Sequence, residues 1–188
     1  MFKTRNIAIM GIFLSLMVIG AYIQISLPTP FMVMHITMQL FVSIIIGLCL
    51  PLKLSSMTLM TYIFAGVMGL PIFATGGGLY YIAKPTFGFI LGFLLCGMMC
   101  SFLYHRCHPK TIKDYFMIGL AGMSLYYISG IVYYFVMTRF ILLTNVPLEI
   151  IIFNCFIVSI VPDTLITFFA CVSARRLESV RKSVIYFK

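Results

Sequence analysis

Long apolar runs separated by short polar connections dominate the chain. They predict helices at 7–26, 36–50, 54–72, 86–104, 115–138 and 150–174. At roughly 20 apolar residues per bilayer crossing, this is the pattern of an all-α membrane protein, a six-transmembrane-helix bundle forming a single domain over residues 1–188. The first run follows Lys3 and Arg5 as the core of a signal peptide would. It exceeds the roughly 7–15 apolar residues of such a core and no A-x-A cleavage pattern follows, so it is expected to stay as the first helix. Two stretches break the pattern. Residues 27–35, LPTPFMVMH, hold Pro28 and Pro30, which force extended backbone before them and predict a loop able to fold over a pocket. Residues 71–89, PIFATGGGLYYIAKPTFGF, cannot remain helical. Exposed to lipid, their free backbone groups would each cost several kcal/mol. This loop is therefore expected to cap or line a cavity.

Composition supports the membrane assignment, with 62% hydrophobic and 9% charged residues. The net charge of +9 could point to nucleic acid, but the distribution of the basic residues reports topology instead. With six crossings, Lys3, Arg5, Lys53, Arg106, Lys110, Lys113, Arg175, Arg176, Arg181, Lys182 and Lys188 share one side with both termini. The other side receives Lys84 and Arg139. Positive charge accumulates on the cytoplasmic side, so both ends are expected in the cytoplasm and the glycine loop outside. The six cysteines lie in apolar segments without a disulfide framework. Cys96, Cys100, His105, Cys107 and His108 gather near one helix end but lack tetrahedral metal-site spacing, so no metal is expected. In the first helix Gly11 and Ser15 are four apart, a spacing that lets another helix, internal or from another subunit, approach closely.

Asp163 is the sharpest chemical signal. An aspartate near a membrane-helix centre costs roughly 2.5–3.5 kcal/mol on insertion, so it should face the bundle interior and carry a partner. Ser159 and Thr167 stand four residues to either side and make one polar stripe. In the second run Gln39 and Ser43 form a shorter stripe, and the Gln39 amide can both donate and accept. Tyr126 and Tyr127 fall near the centre of the fifth run, where a hydroxyl needs an internal partner. Lys84, beside Gly76, Gly77 and Gly78, could meet a substrate carboxylate or simply extend to water. The four carboxylates include no catalytic pair, and no HExxH, nucleophile-elbow or Walker motif occurs. Catalysis and nucleotide turnover therefore lack their parts, and no cofactor is expected.

The segments IGAYIQISLPTPFMVMHITMQ, GLPIFATGGGLYYIAKPTFGFILGF, LYYISGIVYYF and VPDTLITFFACVSARRL resemble, in order, the BioY family. These are the biotin-specific substrate-binding (S) components of energy-coupling-factor (ECF) transporters. The Pro-Thr-x-Gly-[Phe/Tyr] signature is the most specific part. The resemblance implies that Asp163 accepts from the ureido N–H groups of biotin, with Gln39, Gly76, Gly77, Gly78 and Thr86 around the vitamin; Tyr80, Tyr126 and Ser159 are further residues expected at the site. Where the family usually carries a lysine, three residues after the aspartate, this chain has Ile166. Lys84 or Arg139 is expected to replace it, or ligand preference has drifted, for example toward desthiobiotin. The family's partners would be a transmembrane coupling subunit and two ATPase subunits in a prokaryotic plasma membrane. A small membrane enzyme using Asp163 and the His105 cluster is the reading from another class.

Overall fold

The computed structural model describes residues 4–29, 32–143 and 146–178. Within them the chain forms α1 (Thr4–Tyr22), a hairpin of β1 (Gln24–Thr29) and β2 (Met32–Thr37), α2 (Gln39–Cys49) and α3 (Leu52–Val67). A 3-10 turn (Leu79–Ala83), α4 (Phe87–Cys107), α5 (Ile112–Val136) with a π turn (Met137–Ile141), α6 (Leu148–Ile152), a second π turn (Phe153–Ile157) and α7 (Val158–Arg176) follow. Four helical stretches are long and apolar enough to cross a membrane: Thr4–Tyr22, Phe87–Cys107, Ile112–Ile141 and Leu148–Arg176. The basic terminal residues Lys3, Arg181, Lys182 and Lys188 lie outside the described residues.

The helices expected at 7–26 and 36–50 are both shorter than the apolar pattern implied, because the chain between them pairs as a hairpin. Its antiparallel register sets Gln24 against Thr37, Ser26 against His35 and Thr29 against Met32. Ile25, Ile36 and Thr37 are β-branched and Pro28 cannot donate to a helical ladder, so apolar character here serves strands. With 11 residues, α2 extends about 17 Å, short of the ~30 Å hydrocarbon core. The expectation of a helix reaching 72 also fails, since α3 ends at Val67. Gly69 takes φ +112°, a left-handed conformation that ends the helix, and Pro71 prevents its resumption.

Packing is tightest where side chains vanish. A Cβ on Gly88 would lie 2.3 Å from Cβ of Tyr133, and one on Gly92 would lie 2.8 Å from the Tyr126 carbonyl oxygen, so α4 and α5 meet at backbone distance. Ser43 Oγ donates to the Phe93 carbonyl (2.7 Å) and Ser101 Oγ to that of Leu50 (2.8 Å), tying α2 to α4. Gly11 of α1 has no atom within 4 Å of the Cβ it lacks, so no helix among the described residues approaches there. Its neighbour Ser15 bonds back to the Gly11 carbonyl at 2.9 Å.

Two ends of the bundle are thereby defined. At one, Tyr22 Oη donates to the Pro71 carbonyl, Gln24 Nε2 to that of Ala74 (3.3 Å) and Tyr133 Oη to that of Ile82 (2.5 Å). These bonds bring the hairpin, the glycine loop and the C-terminal part of α5 together. At the other end Tyr115 Oη donates to Glu178 (3.1 Å), joining the start of α5 to the residues after α7. Lys53, Arg106, Lys110, Lys113, Arg175 and Arg176 sit at or beside helix termini of that second end, and Lys84 and Arg139 at the first.

Candidate functional site

The polar stripe on α7 faces inward as its spacing required. Ser159, Asp163 and Thr167 are 3%, 4% and 0% exposed, whereas Val161, Leu165 and Phe169 on the opposite face are 67%, 57% and 60% exposed. Asp163 has the partner a buried carboxylate needs, since Tyr127 Oη donates to it at 2.6 Å. Thr167 Oγ1 reaches Met123 Sδ at 3.4 Å, and the buried Ser159 Oγ has no hydrogen-bond partner among the described residues. Ile166 packs against the hydrophobic core, so no donor replaces the family lysine at that position.

Beneath the hairpin, at the same end as the glycine loop, lies a cavity of about 60 Å³ lined by His35, Thr37, Gln39, Ala74, Tyr81, Thr86, Phe89, Ile90, Phe93 and Tyr126. Its walls follow from the packing already described. The Phe93 and Tyr126 rings stack at 5.1 Å and 21°, and Phe89 tilts against Tyr126 at 5.2 Å. Gln39 opens α2 at the cavity edge, where its Nε2 donates to Tyr62 Oη (2.5 Å) and Tyr62 Oη donates to the Ile72 carbonyl (2.9 Å). Thr37 Oγ1 donates to Gln39 Oε1 at 3.4 Å. The amide is thus fixed in orientation while one N–H and one lone pair remain for a guest. Tyr126 and Tyr127 contact edge to face at 5.2 Å, so the cavity wall and the residue holding Asp163 are neighbours on α5.

Of the residues singled out in the sequence, Gln39, Thr86 and Tyr126 line this cavity, and Asp163 and Ser159 do not. Gly76, Gly77 and Gly78 belong to the loop but serve its fold. Gly76 and Gly78 take φ +112° and +107°, and a Cβ on Gly77 would lie 2.0 Å from the Leu70 carbonyl oxygen. The amide of Gly78 donates to the Gly66 carbonyl at 2.7 Å, which presses the loop onto the end of α3. Tyr80 is 60% exposed. Lys84 Nζ donates to Thr75 Oγ1 (3.1 Å) and stands 4.4 Å from the Tyr81 ring centroid. Arg139 is exposed on the π turn after α5, whose first two residues are buried. His35, Thr37, Ala74, Tyr81, Phe89, Ile90 and Phe93 were missed as lining residues. Phe89 and Phe93 share the spacing of the PTFGFILGF segment, which could have marked them, but His35 carried no local signal.

A bundle of membrane-length helices, closed at one end by a hairpin and a glycine loop over a cavity of aromatic and neutral polar groups, defines an integral membrane protein built to hold a small molecule. The BioY family model matches residues 1–183, and the chain belongs to that family. It is 28% identical over 182 residues to "Probable biotin transporter BioY" of Lysinibacillus sphaericus, covering 96% of this chain and 90% of that protein. It is 33% identical over 129 residues to "Biotin transporter BioY" of Thermotoga maritima, covering 68% of this chain and 72% of that one. A crystal structure of the S-component for biotin from an ECF-type ABC transporter has the same fold, with a TM-score of 0.81, 95% of both chains covered and 16% identity.

Proposed function

We propose that this chain is the substrate-binding S component that captures biotin for ATP-driven uptake by an ECF transporter, acting as a binding subunit without turnover. The observation that carries the reading is the cavity framed by Gln39, Thr86 and Tyr126, beside the buried Asp163–Tyr127 pair, in a chain of the BioY family. Biotin has the matching parts: an apolar bicycle for the Phe93 and Tyr126 rings, and ureido N–H and C=O groups for the free capacity of Gln39. The cavity of about 60 Å³ is below the ~300–1,000 Å³ of small-molecule sites. Biotin must therefore widen it, and the movable wall is the hairpin. On widening, the ureido group reaches Asp163 and the unpartnered Ser159 Oγ.

The same reading sets the orientation. The basic end, with Lys53, Arg106, Lys110, Lys113, Arg175 and Arg176, faces the cytoplasm of a prokaryotic cell, and the cavity opens toward the outside. Six passes follow if α2, lengthened by the hairpin, and α3 each complete a crossing. A transmembrane coupling subunit and two ATPases supply the movement and energy, and α1 meets the coupling subunit through the open surface at Gly11 and Ser15. The core-packed Ile166 favours a second ligand reading, desthiobiotin, because the family's usual donor is gone. Mass spectrometry of small molecules co-purifying with the protein distinguishes these readings: biotin is expected, desthiobiotin in its place supports the second, and neither overturns both.

A further inference from the structure

Resting on the reading of a biotin-binding cavity, we infer that His35 and Lys84 together form the subsite for the ligand's valerate carboxylate, and that His35 makes carboxylate recognition proton-dependent. The ligand's carboxylate is anionic, and the described lining of the cavity includes neither Lys nor Arg, so its counter-charge must come from His35 and from the rim. One partner lies in the lining and the other beside it. His35 lines the cavity directly, on β2. Ser26 Oγ, across the hairpin, lies 2.9 Å from its Nδ1. That bond orients the ring and leaves Nε2 for a guest. Lys84 Nζ stands over the ring of Tyr81, which lines the same cavity. Thr75 Oγ1 and the Tyr80 and Tyr81 rings, at 5.2 and 4.4 Å from Nζ, hold the Lys84 head at the same loop. No acid is among the described lining residues, so nothing there opposes a cation at this edge.

The groups facing His35 are few. Ser26 on β1 does not titrate, and the glycine loop brings Lys84 and Tyr81. α1 and α7 also pack against β2. The titratable side chains they bring toward this region are Tyr22, bonded to the Pro71 carbonyl, and Asp163, bonded to Tyr127. In the free protein burial and then the Lys84 charge hold His35 below its ordinary value of 6.5, so it is mainly neutral at pH 7. A carboxylate placed between His35 and Lys84 offsets both effects and raises it again. The complex therefore takes up a proton that the free protein lacks, and affinity for the carboxylate rises as pH falls toward 5.5. The protonated ring then donates from Nδ1 to Ser26 Oγ and from Nε2 to the ligand.

The test compares biotin with biotinamide, the neutral amide of the same side chain, in equilibrium titrations of the detergent-solubilised full chain at pH 8.0 and 5.5. The ratio of the two affinities is expected to favour biotin by roughly three- to tenfold more at pH 5.5 than at pH 8.0, as for a partly exposed charge-assisted bond. His35→Gln should make that ratio independent of pH, and Lys84→Met should lower it at both values. A ratio that does not change with pH in the unaltered protein, or a change that persists in His35→Gln, overturns the inference while leaving biotin capture standing. Failure of both compounds to bind overturns the functional reading itself and this inference with it.

Discussion

Asp163 shows how a single buried charge organises its surroundings. Its carboxylate is held by Tyr127 at 2.6 Å, and hydrogen bonds to charged groups contribute about 1.5–3 kcal/mol. Replacing Asp163 by Asn is expected to weaken biotin binding by roughly tenfold to a hundredfold, read by calorimetric titration; unchanged affinity would remove Asp163 from the site. Tyr127→Phe should instead lower thermal stability by about 1–3 kcal/mol, because it leaves a buried acceptor unsatisfied. Gly77→Ala tests the glycine loop in another way. The added methyl group would sit 2.0 Å from the Leu70 carbonyl oxygen, so the loop must lift from α3, with a fall in melting temperature whether or not ligand is present. Asp163 was legible in the sequence because cost alone dictated its inward placement. The role of Gly77 was not, since a run of three glycines looks the same whether the approaching group is a ligand or the chain's own carbonyl. His35 was illegible for a related reason: it lines the cavity only through the hairpin register that sets it against Ser26.

At the scale of elements, helix identity followed the apolar runs and helix ends did not. The α4 to α7 stretches appear close to where hydrophobicity placed them, whereas 23–37 and 68–72 are as apolar as a helix and are shaped by β-branching, proline and the left-handed Gly69. The Gly88 and Gly92 pair, four apart, announced the close α4–α5 contact in the same way that Gly11 and Ser15 announced one on α1. On α1 that spacing meets no helix among the described residues. α5 carries the clearest start signal: Thr111 Oγ1 accepts from the Asp114 amide at 3.3 Å, and the Asp114 carboxylate accepts from the amides of Thr111 and Lys110 at 2.8 and 3.0 Å. Asp114→Ala leaves the amides of Thr111 and Lys110 without their acceptor and should lower the melting temperature. An unchanged melting temperature would show that this cap does not hold the start of α5.

Taken whole, the molecule separates two tasks by depth. One end gathers a hairpin, a glycine loop and a cavity without an acidic lining residue, and the other gathers most of the described basic side chains. If that basic end faces the cytoplasm, a single cysteine at exposed Tyr80 should react with a membrane-impermeant thiol reagent in intact cells, and one at Lys110 should react only after lysis, in a chain whose exposed Cys107 is first replaced by Ser. The reverse labelling would invert the topology. On the proposed function, the end-on cavity holds biotin without energy input. Equilibrium binding of labelled biotin to the purified chain, free of ATP and of any other subunit, tests it most directly. The account predicts saturable binding of one biotin per chain, weakened by Asp163→Asn; no saturable binding by a folded, monodisperse preparation would contradict it.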